Sequence, residues 1–231
     1  MKTVSVIIPN KNRAELLREA LRSVTEQTVP VHEIIVSDNL STDESVDVVK
    51  SFKGVKIIEK AFKNQSIARN AAVALATGEY IALLDSDDLW LPTKIEEHMA
   101  FIESQPEFSF TYTDATVLDM THKEPRHSYV YNYQKENAYQ GNIAPKLLNE
   151  YNVIPTSTVM VKRAIFLEVG GFDENLSYHE DRNLWIRLAQ KGPVGFLDKA
   201  LSIYRVHGNQ VSSNKILRDE QWKLVKAKYN L

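Results

Sequence analysis

The sequence predicts an α/β fold: a mostly parallel central sheet with helices on both faces. Three observations carry that expectation. Strand-like and helix-like segments alternate four times in the first hundred residues, the order of a parallel sheet with crossover helices. The strand segments are continuous apolar runs, as strands covered on both faces are. Three polar clusters, PNKNR (9–13), SDNLSTD (37–43) and DSDD (85–88), each follow a strand, where ligands bind on such sheets.

The elements read in order as follows. VSVII (4–8) is a β-branched strand ended by Pro9. Asn12, with Glu15 three residues on, has the pattern of a capping box, and Leu16, Leu17, Ala20, Leu21 and Val24 follow at helical spacing. EIIVS (33–37) is a second strand. Ser41 and Glu44 repeat the capping pattern before Val46, Val49 and Phe52. VKIIE (55–59) is a third strand, and an alanine-rich helix spans Ser66 to Ala76, stopped by Gly78. EYIALL (79–84) is the fourth strand, and Ile95, Met99 and Ile102 mark a helix after Pro92.

Beyond residue 107 the alternation is less regular. FSFTYTDA and NVIPTSTVMV read as strands, 163–169 and 182–191 as helices, and 194–197 and 201–206 as short strands. Residues 213–229 read as a terminal amphipathic helix. With no linker, repeat or low-complexity tract, the 231 residues read as one domain: a ligand-binding part (1–107), a second part (108–212) and the C-terminal helix (213–231).

Composition narrows the function. A net charge of −2 provides no basic field for nucleic acid. The chain has no cysteine, which removes disulfides and thiolate metal sites and makes a reducing cytoplasm the expected compartment. No stretch approaches the roughly 18 apolar residues of a membrane span or the make-up of a secretion signal. The C-terminal helix, with Trp222 and Leu224 among lysines, leaves its own domain, a partner or the inner membrane surface open as packing partners.

DSDD poses the main chemical question, because three like charges in four positions need compensation. A calcium loop starting at Asp85 fails: Trp90 stands where its glycine is required and Pro92 breaks the loop. A helix N-terminus would accommodate the aspartates. The alternative is a divalent cation held by one or two carboxylates and completed by phosphate oxygens, the habit of Mg²⁺ and Mn²⁺.

VSVIIPNKNR, EIIVSDNLSTDES, SIARNAAVALATGEYIALLDSDDLWLPTKI, GGFDE with HED, and YRVHGNQVS occur in that order. Together they resemble a family 2 glycosyltransferase of GT-A fold, over residues 3 to about 212 apart from the tyrosine-rich middle. The resemblance implies an inverting, metal-assisted transfer of a sugar from a nucleoside-diphosphate sugar, with UDP-sugar the expected donor and Mn²⁺ or Mg²⁺ the cofactor. The implied acceptor is a sugar hydroxyl of a surface polysaccharide or lipid-linked glycan. Asp85-Ser86-Asp87 fits the D-x-D motif. Asp87 is then the direct metal ligand, while Asp85 reaches the ribose or the metal through water, and Ser86 belongs to the nucleotide-sugar site. Asp38 falls on the first acid of the family's DDGS segment; Asn39 replaces the second acid and Leu40 the glycine. Pro9, Asn10 and Asn12 line the nucleotide, and Arg69 faces it.

In HED (179–181), Asp181 reads from local pattern as an N-cap of the apolar helix that follows. The resemblance makes it the general base, with Glu180 the competing choice, since an inverting transfer needs one carboxylate to take the acceptor proton. His207 becomes a metal or diphosphate ligand, and Arg205 adds positive charge nearby. Trp90, Trp185 and Phe172 read as core. Tyr129, Tyr131, Tyr133 and Tyr139 read as half-buried sheet packing, with acceptor binding as the rival account. A pyrophosphorylase or dinucleotide oxidoreductase would need a glycine-rich loop where PNKNR stands. A degenerate transferase domain that binds nucleotide or glycan without chemistry is the non-enzyme rival, against which the presence of Asp85, Asp87 and Asp181 together speaks.

Overall fold

The computed structural model describes residues 2–120, 139–150, 152–208 and 216–229, and the backbone alone of 124–128 and Lys215. The expected first half is present: β1 (Val4–Asn10), α1 (Ala14–Thr25), β2 (Glu33–Asp38), α2 (Ser45–Ser51), β3 (Val55–Glu59), α3 (Gln65–Leu75) and β4 (Tyr80–Leu83). A two-residue strand β5 (Leu89–Trp90) precedes α4 (Lys94–Ser104). Then come β6 (Phe110–Asp119), β7 (Glu124–Ser128), α5 (Ala144–Asn149), a 3₁₀ turn (Thr156–Thr158), β8 (Val159–Lys162), α6 (Arg163–Glu168), α7 (Glu180–Ala189), β9 (Val194–Val206) and α8 (Lys215–Ala227).

The described strands form one sheet in the order β3-β2-β1-β4-β8-β6-β9-β5, with β7 added on β6. The first four strands are parallel. β8 then runs antiparallel between β4 and β6, while β9 returns parallel to β6. Both parts of the chain therefore share one carboxyl edge. Alternation along β1 sends Val4, Val6 and Ile8 to a core with α1, α2 and α4, and Ile7 to a core with α3, α5, α6, α7 and α8. Phe110 stacks on Trp185 at 5.4 Å between ring centroids, and Phe172 meets Trp185 edge-on at 6.4 Å. Trp90, Trp185 and Phe172 are core residues, as expected.

Four local expectations are corrected. Asn12 does not cap α1: it sits in the left-handed region at φ 51, and its Oδ1 accepts from the Thr42 N–H at 2.7 Å. The free N–H groups of α1 are met from the next loop, Ala14 donating to Asp43 at 2.9 Å. Ser41 does not cap α2, because its hydroxyl is used on Asp38 at 2.7 Å. NVIPT is not strand: Pro155 has no N–H to give a ladder, and Thr158 Oγ1 turns back to the Pro155 carbonyl at 2.7 Å. The two short strands near the C-terminus are one strand, β9, whose pairing with β6 shifts register around Asp114.

At the opposite end of the sheet, a buried carboxylate stitches three strands together. Glu33 accepts from Ser5 Oγ (2.7 Å), Thr77 N–H (2.7 Å), Thr77 Oγ1 (2.8 Å) and Lys56 Nζ (2.6 Å). Gly78 closes the arrangement: an added Cβ would lie 2.6 Å from Ser5 Oγ. Burial opposes the charged form of Glu33, but Lys56 and the hydroxyl and amide donors outweigh it and hold the pKa at about 2. A depressed folded pKa stabilises the fold above the unfolded value and loses that contribution as pH falls through the folded one. Glu33→Gln is expected to lower unfolding free energy at pH 7 by about 2 kcal/mol. Urea titrations should show the gap to wild type closing between pH 4.5 and pH 2; an unchanged gap there would refute the assignment.

Candidate active site

The carboxyl edge is built from loops that hold one another. Asp38, buried at the end of β2, accepts from Asn10 Nδ2 (2.8 Å), Ser41 N–H (2.7 Å) and Ser41 Oγ (2.7 Å). Asn39 Oδ1 accepts from the Phe62 N–H at 2.8 Å. Pro9 does not end β1 as expected: the strand runs on through Asn10, with Pro9 paired in register with Ser37 at the same edge. The chain then turns through Leu40 at φ 47, a conformation that β-carbons disfavour by about 1–2 kcal/mol. Its side chain is 55% exposed, so packing recovers little of that cost.

The three aspartates after β4 are compensated in three ways. Asp85 accepts from Arg69 at 2.6 Å, and the same guanidinium reaches Glu180 at 3.0 Å. Asp87 Oδ2 lies 3.2 Å from Arg13 and 3.1 Å from His207 Nε2. Asp88 is buried, accepting from Ser157 Oγ at 2.5 Å and from the Arg205 N–H at 3.0 Å. Burial, then the charges of Asp87 and Asp85, push the Asp88 carboxyl well up. Ser157 Oγ also accepts the Asp85 N–H at 3.0 Å, so one hydroxyl pins both ends of the turn. Arg205 does not offer its charge to a diphosphate as expected. Its side chain is buried and bonds the Asp87 carbonyl, Glu19 and the Leu16 carbonyl. Ser86 is buried between the outer aspartates.

Glu180 and Asp181 open α7. Asp181 is not its N-cap; that place is taken by His179, in the left-handed region at φ 57. Glu180 is buried and accepts from Arg69 and, at 2.5 Å, from Gln65 Nε2. Burial and then the Asp181 charge raise its pKa to about 7, against the pull of Arg69. Asp181 is partly exposed and accepts from Asn152 Nδ2 at 2.8 Å. Burial raises its pKa above the ordinary carboxylate range. Burial, then the positive charges of Arg182 and Arg218, bring His179 down to about 4, so its ring is neutral at neutral pH.

Arg69 thus joins Asp85 to Glu180, with Asp181 next to it, while Asp87, on the same turn as Asp85, pairs with His207 and Arg13; Asn10, Asp38 and Asn39 form the neighbouring loop pair. Sequence reading missed Arg13, Gln65, Asn152 and Ser157. Arg13 lies in the flagged PNKNR cluster, but the other three carry no local signal. Tyr139 is wholly buried and bonds Glu150 at 2.8 Å, which makes it core; Tyr129, Tyr131 and Tyr133 lie outside the described residues.

Among the described residues, no group of three His, Asp or Glu side chains is gathered to hold an ion unaided. Asp87 Oδ2 and His207 Nε2 are nonetheless 3.1 Å apart. Two adjacent ligands of an octahedral ion with bonds of about 2.1 Å stand about 3.0 Å apart. The pair therefore fits two positions of such an ion, with substrate oxygens and water for the rest.

An open α/β sheet with these acidic clusters at its carboxyl edge is the framework of the GT-A glycosyltransferases. The chain belongs to glycosyl transferase family 2, whose model matches residues 5–170. It is 31% identical over 238 residues to the putative teichuronic acid biosynthesis glycosyltransferase TuaG of Bacillus subtilis, covering 96% of this chain and 84% of that one. It is 31% identical over 226 residues to the Escherichia coli UDP-Glc:alpha-D-GlcNAc-diphosphoundecaprenol beta-1,3-glucosyltransferase WfaP, covering 93% and 82%. An uncharacterized glycosyltransferase of Rickettsia conorii is 36% identical over 210 residues, 89% of this chain, which spans only 33% of that relative's length. The S. aureus TarS 1-349 complex with UDP-GlcNAc shares the fold with a TM-score of 0.77 at 22% identity, over 96% of this chain and 64% of that one. Among the described residues no helix is long and apolar enough to cross a membrane.

Leu40→Gly is expected to raise unfolding free energy by up to about 1 kcal/mol, the released strain being offset in part by the freer unfolded chain. A lower denaturation midpoint would mean that the leucine packs usefully where it stands.

Proposed function

We propose that this chain is an inverting, metal-assisted glycosyltransferase that moves a sugar from a UDP-sugar to a hydroxyl of a glycan or lipid-linked saccharide. The observation that carries the reading is the junction at Arg69. One guanidinium ties Asp85 of the donor turn to Glu180, next to Asp181, so donor and acceptor chemistry share one rigid edge. The UDP donor and the lipid-linked acceptor class are supported by WfaP, whose name states both for that enzyme.

In this reading Asp87 and His207 hold the Mn²⁺ or Mg²⁺ ion. When bound, the ion supplies Lewis-acid compensation for charge developing on the leaving diphosphate. The β1 and β2 loops, with Pro9, Asn10, Asn12, Asp38 and Asn39, shape the nucleotide site, and Asp85 with Ser86 continues it toward the ribose. Asp181 takes the proton of the acceptor hydroxyl. The oxygen attacks the anomeric carbon opposite the diphosphate, and the bond to the diphosphate breaks with its electron pair. Asp181 suits this role better than Glu180, which is buried and committed to Arg69 and Gln65. Asn152 holds one carboxylate oxygen of Asp181 in place.

A thermal-shift panel of nucleotide sugars with and without Mn²⁺ tests donor and metal together, since binding to the folded state raises its stability. The largest shift is expected with a UDP-sugar plus Mn²⁺; shifts that do not depend on metal would refute the metal assignment. Asp87→Asn is expected to weaken UDP-sugar binding and abolish the metal effect. Asp181→Asn is expected to keep UDP binding and lose about 10²–10⁴ in kcat. Full transfer activity in the Asp181 variant would move the base elsewhere.

A further inference from the structure

Helix α8 lies outside the residues that match the family, yet its inner face is fastened to the segment leading into Glu180 and Asp181. Gln221 Oε1 accepts the backbone N–H groups of Ser177 and Tyr178, both at 2.8 Å. Trp222 meets both residues that bracket the acidic pair. Its ring lies 5.1 Å from the His179 ring, and the Arg182 guanidinium carbon stands 3.5 Å from its centroid. Lys228 pairs with Asp173 at the other end of the same segment, and Val225 is buried in the core between these contacts.

The segment needs such support. His179 is a non-glycine residue at φ 57, and no side chain caps the α7 helix that follows. A left-handed residue persists where surrounding contacts over-determine it, and such residues cluster at functional sites. The inner contacts here come from two sides: α8 holds 177–179, while Arg182 reaches the Leu147 carbonyl of α5 at 2.6 Å and the Glu150 carbonyl. A helix that only covered the core would not need polar bonds to two successive loop amides.

We propose that Gln221 and Trp222 are positioning residues of the acceptor-activating site, with α8 clamping residues 177–182 so that Asp181 projects toward the donor edge. The inference rests on the transferase reading above. Errors of about 1 Å in such a group cost about 10²-fold in rate, while donor binding at the β1, β2 and β4 ends is untouched.

The test compares wild type, Trp222→Ala, Trp222→Phe and Gln221→Ala. Calorimetry measures UDP binding with Mn²⁺, and UDP release is followed from UDP-glucose, UDP-galactose and UDP-GlcNAc with water as acceptor. The expected result for Trp222→Ala and Gln221→Ala is unchanged UDP affinity and donor KM with kcat reduced about 10-fold or more, and recovery of most of that loss in Trp222→Phe. Wild-type kcat in either alanine variant overturns the inference. If Trp222→Ala fails to fold, Gln221→Ala, which removes two loop hydrogen bonds and no core contact, decides. A wild type that bound no nucleotide would overturn the transferase reading and the inference with it; nucleotide binding with undiminished turnover in the variants would overturn the inference alone.

Discussion

Placing three aspartates within four residues at the end of β4 is the constraint around which the carboxyl edge is arranged. Left together in a half-buried turn, these charges would oppose folding. Each finds a different partner, and the partners come from far apart in the chain: Arg13 after β1, Arg69 in α3, Ser157 before β8, and Arg205 and His207 from the end of β9. The turn can take its shape only when all of these segments are in place. Formation of the site and closure of the sheet are then one event. Breaking one partner out of a buried ion pair of this kind typically costs about 3–5 kcal/mol, because a charge is left without compensation.

The arginines divide the work. Arg205 is fully enclosed and spends its donors on main-chain carbonyls and Glu19, so it shapes the turn and brings little charge to its open side. Arg69 spans two carboxylates. Burial disfavours its charge, but Asp85 and then Glu180 overcome this, so it stays protonated. Arg13 reaches the same Asp87 oxygen that His207 approaches. Its guanidinium balances the charge on that oxygen.

The parallel half was legible because its signals are local: apolar runs, helical spacing, and polar clusters at the strand ends. The capping assignments failed for two reasons. Asn12 and Ser41 carry the right side chains, but Thr42 and Asp38 claim them across loops, and sequence spacing does not encode those competitors; Asp181 lies inside α7, which starts one residue before it. The buried polar residues of α4 were hidden in the same way. Ile95, Met99 and Ile102 gave the helix, but nothing local shows that Lys94 and His98 are also enclosed, 2.5 Å apart, with Lys94 reaching the Thr158 carbonyl at 3.0 Å. That lysine braces the 3₁₀ turn that carries Ser157. The acids of the site were visible because motifs concentrate charge; their supports, Ser157, Gln65 and Asn152, were not, because support is a property of the tertiary fold.

The strand order shows why the two parts of the chain act as one site. β8 alone reverses direction beside β4; β6, antiparallel to β8, runs the same way as β4, and β9 pairs parallel to β6 and so ends near the edge where β1, β2 and β4 end. Its last residues deliver Arg205 and His207 onto the aspartate turn, while the 3₁₀ turn before β8 delivers Ser157 to the same place. Had β9 run the other way, its end would lie at the opposite rim, and Asp87 would lack its contact with His207. The mixed half of the sheet is therefore what brings partners to the aspartates at the end of β4, and the direction of one late strand decides it.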